Sequence, residues 1–439
     1  MKGLLILLML LAALYGSDQI PAPDQTRPIL LFNGVIHTVS RGTIENGAIL
    51  FENGKITRIA VKIAAPAGAE SIDLKGKHVY PGFISALTSL GLVEISAVKA
   101  TADFAETGSI NPNLRANVGY NPDSEIIPVT RSNGVLLANV TPSSGLLSGQ
   151  SSLMMLDGWT WESATLEHST GLHLNWPSMS LNYALDSKIS LEKQTEMRRK
   201  KLTEIDELFS AARSYGLLKK ANPKTRLNFQ GVDLRLEALA PYAEGEKPIF
   251  IHAQEKRQIE AALFWSVRQK VKIILVGGRD AWRVTALLKK YEIPVIFESV
   301  LSLPQRRFED YDQIYKTPAR LERDGVAFCI TTSGGDFETP HLRNLPYHAA
   351  MAAAFGLSKE AALRSITLSP AEILGVADRV GSLDEGKDAT LFVSTGDALE
   401  TRSQVGLAFI QGRKIDLSDR HKMLYKKYRE KYRQLKLID

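Results

Sequence analysis

Pro248-Ile249-Phe250-Ile251-His252, followed by Glu255 to Gln269 and then by Val271 to Val276, is the stretch whose reading decides the fold. The first segment is an apolar run of strand length that ends on a histidine, the second reads as a helix, and the third is another apolar run. The alternation continues with a helix over Ala281 to Tyr291, strands over Pro294 to Glu298 and Val326 to Thr332, and a helix over Leu345 to Phe355. Continuous apolar runs belong to strands buried on both faces. When helices separate them, a parallel sheet sheathed in helices is the expected architecture.

Working outward, the two ends of the chain differ from the middle. Ile29 to Val39 and Gly47 to Ala60 alternate apolar and polar residues around Asn53-Gly54, a pair suited to the left-handed backbone of a tight hairpin. Ser71 to Leu74 adds a short strand. β character returns at Gly381-Ser382-Leu383, Ala389 to Val393 and Val405 to Ile410. The expected organisation is therefore a barrel over 81–375, a small composite β-sandwich from 28–80 and 376–416, and a charged helix over 417–439. Ser369-Pro370-Ala371-Glu372 reads as a capping box, with Gly375 closing that helix. Residues 94–190 are dense in turn chemistry, as in Asn121-Pro122-Asp123 and Thr141-Pro142-Ser143-Ser144-Gly145. They are expected to form long loops above the barrel.

Composition narrows the partners. The apolar fraction of 44% and charged fraction of 23% are those of a globular chain. Net charge is +6. The basic run Lys414 to Lys436 interleaves Asp416, Asp419 and Glu430, which reads as a solvated helix face and not as a nucleic-acid surface. Lys2, the apolar run Leu4 to Leu14 and the small residue Gly16 make residues 1–16 a secretory signal, so the chain is expected to be exported, periplasmic or secreted. That run is too short for a spanning helix, and no stable membrane insertion is expected. The single cysteine, Cys329, lies in the apolar run Val326 to Ile330 and reads as buried filler.

Three motifs carry a family resemblance. They are Gly76-Lys77-His78-Val79-Tyr80-Pro81-Gly82-Phe83-Ile84, then Arg343-Asn344-Leu345-Pro346-Tyr347, then the run from Leu368 through Gly375-Val376-Ala377-Asp378 to Gly386-Lys387-Asp388-Ala389-Thr390-Leu391. With them the chain resembles the amidohydrolase superfamily, in its imidazolonepropionase-like secreted branch. The resemblance implies an α/β fold, a (β/α)8 TIM barrel with a composite β-sandwich. It also implies hydrolysis of C–N bonds by water activated on a divalent metal of the zinc class.

Carried over residue by residue, the resemblance leaves most metal-ligand positions changed. The two first-strand histidines map to Leu87 and Ser89, the fourth-strand lysine to His173, and the fifth-strand histidine to His252. The sixth-strand histidine maps to Gly277 and the eighth-strand aspartate to Ser333. Leucine has no lone pair to give and a serine hydroxyl is a poor ligand for such ions. A reduced metal site on His252 and His173 is therefore the expectation. Asp336, three residues past Ser333, is the candidate general base, or else a cap of the following segment. Arg131 and Arg343, with Asn133 and Asn344, are candidates for gripping a substrate carboxylate, a task suited to a guanidinium. Trp159, Trp161 and Trp176 either wall a pocket or pack loops on the rim.

Two functions follow. One is an exported hydrolase of small amides, cyclic amides or dipeptide-like molecules, acting alone or as a homo-oligomer. The other is a catalytically inactive homologue that serves as a binding module or pairs with an active homologue.

Overall fold

A computed structural model describes residues 19–184, 187–221 and 232–438. The expected signal at 1–16 lies outside the described residues. Both ends of the chain build one mixed sheet. β1 (Ile29–His37) pairs antiparallel with β2 (Thr43–Glu52), and β2 with β3 (Lys55–Ala60). Asn53 and Gly54 sit between β2 and β3 with φ of 50° and 76°, the positive values a two-residue hairpin needs. β4 (Glu70–Asp73) and β5 (His78–Pro81) lie parallel to successive halves of β1.

The barrel sheet follows. Its strands are β6 (Phe83–Thr88), β7 (Val135–Val140), β8 (Leu147–Met155), β9 (Thr165–Asn175), β10 (Ile249–Ala253), β11 (Ile273–Gly277), β12 (Val295–Glu298) and β13 (Phe328–Thr331), hydrogen-bonded in that order. β14 (Leu391–Ser394), β15 (Val405–Ile410) and β16 (Arg413–Lys414) then return to the terminal sheet, where β14 pairs with β5. The terminal strands form one sheet, not the two facing sheets of the expected sandwich. It folds over a core of its own, so that Phe51 on β2 meets Phe409 on β15 edge-to-face at 4.9 Å.

The barrel departs from strict β/α repetition at one place. β8 runs antiparallel to both β7 and β9, and only a short turn joins it to β7. Residues 94–190, expected as loops, thus hold three barrel strands. The sheet nearly closes. The seam between β13 and β6 is joined by hydroxyls, with Ser85 Oγ 3.4 Å from Thr331 Oγ1 and Thr331 Oγ1 donating to the Leu87 carbonyl at 3.3 Å. Every residue of β6, β7 and β8 is buried. A large side chain so enclosed contributes roughly 1.5–3 kcal/mol.

Helices cover the outside. The helix Lys256–Gln269 places Trp265 edge-to-face on Phe209 of the long helix Leu191–Ala221, with ring centroids 5.0 Å apart. The helix Leu368–Ile373 begins one residue before Ser369, and its N-cap Thr367 makes no side-chain cap bond, so the expected capping box is not formed. Gly375 closes the helix at φ 74°. The terminal sheet abuts the N-terminal ends of the barrel strands, where the Gly82 N–H donates to the Thr390 carbonyl. That leaves the C-terminal ends open as the mouth.

Candidate functional site

Side chains at the C-terminal ends of parallel barrel strands converge on the mouth. His252 is the fourth residue of β10, and His173 lies on β9 beside Phe250 in register. His173 Nδ1 is 2.9 Å from His252 Nε2, and His173 Nε2 is 2.8 Å from Ser151 Oγ on β8. The chain of contacts continues from Ser151 Oγ to Thr170 Oγ1 at 2.7 Å, and from Thr170 to Asn139 Oδ1 on β7 at 2.8 Å. The Asn139 amide nitrogen donates to the Ala86 carbonyl on β6 at 3.0 Å.

The polarity of this chain follows from its last link. A carbonyl can only accept, so Asn139 turns its NH₂ to Ala86 and its Oδ1 to Thr170. Thr170 therefore spends its proton on Asn139 and accepts from Ser151. Ser151 in turn accepts from His173 Nε2–H, which leaves His173 Nδ1 as the acceptor of the His252 Nε2–H. Burial keeps both rings neutral. It pushes His173 well below the ordinary histidine range, helped by the neighbouring His252, and it pushes His252 down to about 4. Phe250 stacks on the His173 ring at 4.7 Å.

This arrangement does not fit a zinc-class ion. Both His173 nitrogens are engaged, and His252 keeps a lone pair only on Nδ1. A catalytic zinc takes about three protein ligands, and among the described residues no group of three or more His, Cys, Asp or Glu can hold a metal. The remaining mapped positions are filled. Leu87 packs where a Cβ on Gly334 would come within 2.8 Å of it. Ser89 Oγ bonds Thr339 Oγ1 at 2.6 Å. At Gly277, φ is 98° and an added Cβ would lie 2.3 Å from the Gln254 amide nitrogen. The space that a side chain at 277 would use belongs to Gln254.

Gln254 leads to a carboxylate that sequence reasoning missed. Its Nε2 donates to Glu298 Oε2 at 2.8 Å, and its Oε1 accepts from the Arg279 N–H at 3.3 Å. Glu298 ends β12 and also accepts a long contact of 3.5 Å from the Gly334 N–H. Desolvation pushes its carboxyl above the ordinary range, against the pull of the Gln254 and Gly334 bonds and the charge of Arg279. Glu298, Gln254, Arg279, Ser299, Ser302 and Ser333 surround a cavity of about 140 Å³. Beside it, Arg306 grips Asp280 with two bonds of 2.8 Å and ties the loop after β12 to the end of β11. Burial opposes ionisation of Asp280, but the Arg306 bonds outweigh it and hold the carboxyl below its ordinary value.

The other expected site residues are placed differently. Asp336 lies partly buried in the loop after β13, and the next helical turn has no side-chain cap, so the capping reading fails. Arg343 donates to the Pro340 carbonyl at 2.7 Å, and its own carbonyl accepts from Asn133 at 2.6 Å, so Asn133 holds backbone. Asn344 is half-buried at the start of the helix Leu345–Ala354. Arg131 is a correction. It precedes β7 at the barrel end opposite the mouth, 3% exposed, on Asp157 Oδ1 and the Leu156 carbonyl at 2.9 Å each. Trp159 and Trp161 lie at that same far end. Trp176, whose backbone N–H donates to the His252 carbonyl, stays by the mouth and packs on Trp265.

Residues 312–414 match the Amidohydrolase family model. No curated protein sequence matches the chain significantly. Among solved structures, an amidohydrolase from Thermotoga maritima MSB8 is similar at 25% identity and a TM-score of 0.77, over 88% of this chain and 99% of that one. A prolidase complexed with N-methylphosphonate-L-proline is similar at 16% identity and a TM-score of 0.53, over 89% and 99%. An adenosine deaminase from Xanthomonas campestris with bound zinc is similar at 15% identity and a TM-score of 0.51, over 94% and 100%. The last two show the fold alone. The family match and the Thermotoga likeness support a place in the amidohydrolase superfamily.

Proposed function

We propose that this chain is an amidohydrolase-superfamily hydrolase of small amide or dipeptide-like C–N bonds, with a carboxylate at the barrel mouth in place of a metal centre. One observation carries the reading. Glu298 is held at a strand end with its proton affinity raised, and beside it lie a cationic side chain and a cavity that admits only a small group. A general base works best when its pKa approaches the working pH. In this reading Glu298 takes a proton from the attacking water and returns it to the leaving nitrogen. Arg279, which lines the same cavity, faces the oxygen that gains charge. The dipeptide-like substrate class rests on the family resemblance of the sequence. Export rests on the sequence of residues 1–16 alone.

One observation favours a second reading, a non-catalytic relative that binds a ligand or pairs with an active homologue. Leu87 puts an apolar side chain against Gly334, where the family mechanism needs a ligand. The deciding experiment uses protein purified without a His tag. Metal content is measured by elemental mass spectrometry, and a panel of amides and Xaa-Pro dipeptides is assayed with and without chelator. The carboxylate reading expects metal well below one per chain and turnover that survives chelation but not Glu298→Gln. Chelator-sensitive turnover would overturn it in favour of a metal centre. Absence of turnover with retained ligand binding would establish the non-catalytic reading.

A further inference from the structure

The helix Arg420–Gln434 is unlike every other α-helix described. It buries no residue. It nevertheless displays Leu424, Tyr425, Tyr428, Tyr432 and Leu435 to solvent, each at least 41% exposed. At 100° per residue these five side chains fall within an arc of about 100° along one face. Lys422, Lys426, Arg429, Arg433 and Lys436 flank that face on one side, and Arg420, Lys427 and Lys431 on the other. Glu430 points directly away from it. A helix that only needs to stay dissolved has no use for such a stripe, and a helix packed on its own barrel would have buried it.

The charge is as localised as the stripe. Residues 420–438 hold eight lysines and arginines and one glutamate. The whole chain has 54 basic and 48 acidic side chains, so the remainder has 46 and 47. The entire positive excess of the protein therefore sits on this one segment, and the rest is close to neutral.

A third observation concerns location. Asp419 caps the helix, accepting from the Lys422 N–H at 2.9 Å, and Ser418 receives the side chain of Gln19, the first described residue. The helix thus starts where the chain leaves its apolar leading sequence. This is the barrel end that carries Arg131 and Asp157, opposite the mouth.

From this we propose that the helix Arg420–Gln434 docks the protein on an anionic lipid bilayer, lying flat with its tyrosine and leucine face in the headgroup layer. The chemistry matches on each count. Tyrosine rings are apolar bodies with a polar tip and settle at the boundary of water and hydrocarbon. Lysines and arginines on both flanks run their stems along the apolar face and set their charges among lipid phosphates. Each cation near such a surface adds to the attraction. No helix of the described residues is long and apolar enough to cross a membrane, so the contact is peripheral. Because the helix begins at the far end of the barrel, docking leaves the mouth facing water and open to a soluble substrate.

The test is co-sedimentation of the full chain with vesicles of neutral phosphatidylcholine, or of phosphatidylcholine with one third phosphatidylglycerol. The readout is the difference between the two compositions, and its dependence on the helix is read from variants that leave the leading segment, with its one charged side chain Lys2, unchanged. The expected result is at least tenfold tighter partition onto the anionic vesicles, falling steeply with added salt. Two variants divide the contributions. Lys426→Glu with Lys427→Glu and Lys431→Glu removes the preference for anionic lipid. Tyr425→Ser with Tyr428→Ser and Tyr432→Ser keeps the charge but weakens binding at high salt. All six positions are solvent-facing, and an unchanged thermal melt certifies that each variant is folded. Equal partition onto both vesicle types would overturn the proposal. So would a preference that survives both variants. If vesicle binding is absent while the tyrosine variant changes the mass of the protein in light scattering, the face joins copies of this chain and the lipid assignment is wrong.

Discussion

Replacing Arg131 separates two roles that a buried arginine can play. If Arg131 gripped a substrate carboxylate, Arg131→Met would raise KM and leave stability alone. The structure places it instead in an ion pair whose side chains are 4% and 1% exposed, with Asp157 Oδ1 at 2.9 Å. Asp157 also holds Arg413 at 3.2 Å and accepts from the Ala22 N–H at 3.1 Å, so one carboxylate ties barrel, terminal sheet and leading segment together. At an effective dielectric near 20, two charges about 4 Å apart attract by about 4 kcal/mol. Removing the Asp157 charge strands the Arg131 guanidinium, whereas removing Arg131 leaves Asp157 with Arg413 as its remaining cation. The expected cost of Asp157→Asn is therefore about 3–5 kcal/mol of folding stability, and that of Arg131→Met is smaller but still above about 1 kcal/mol. The double variant should cost less than the sum of the singles by on the order of 2 kcal/mol, since the second change relieves the charge orphaned by the first. Urea unfolding followed by circular dichroism measures all three, and turnover in the folded fraction keeps its KM. An Arg131→Met protein within about 0.5 kcal/mol of wild type, the scatter of an ordinary surface change, would refute the scaffold argument.

Other expectations test the mouth. Glu298→Gln should lower turnover by about 100-fold or more. It should also flatten part of the pH dependence of stability. Glu298 has a raised folded pKa, so it favours the fold at low pH and loses that contribution as pH rises through the folded value, a loss the glutamine does not suffer. The buried histidines act in the opposite direction. His37, His252 and His348 are each held at about 4. Below pH 6.5 the unfolded chain therefore takes up protons first, and stability present above 6.5 is lost as pH falls toward 4. The enclosed His252 and His348 each steepen that decline by up to about 1.4 kcal/mol per pH unit and the partly exposed His37 by less, and urea midpoints level between pH 6.5 and 4.5 would contradict this. The tautomers derived for the histidine pair are open to nitrogen NMR. His173 and His252 should both carry their proton on Nε2 at neutral pH, and a protonated Nδ1 on His173 would reverse the deduced chain.

The parallel middle of the barrel and the terminal hairpin were legible because their determinants are local. Ile249-Phe250-Ile251 is an apolar run of strand length set between helix-length segments, and Asn53-Gly54 supplies its own turn geometry. β8 was not legible. Its run Leu147 to Met155 contains Gly149, Gln150, Ser151 and Ser152, which read as loop residues. They are tolerated in a buried strand only because His173, Thr170 and the His168 carbonyl meet their polar atoms from elsewhere in the chain. The resemblance also mapped metal-ligand positions to Leu87, Ser89 and Gly277, where the identity of the residue alone says that leucine and glycine offer no side-chain ligand and serine a poor one.

What a side chain does inside the fold depends on a partner that its neighbours in sequence do not announce. The sequence alone presents Arg131 as an available cation and Glu298 as one more acidic residue at the end of an apolar run. Tertiary structure gives Arg131 a counter-charge 26 residues away and seals both from water. It brings Gln254 across 44 residues to Glu298, beside Arg279, in a setting where desolvation changes the acidity of the carboxyl. Strand periodicity and hydropathy are properties of the chain itself. Charge pairing, proton affinity and the direction of a hydrogen-bond chain are properties of distance and dielectric, which exist only once the strands are side by side.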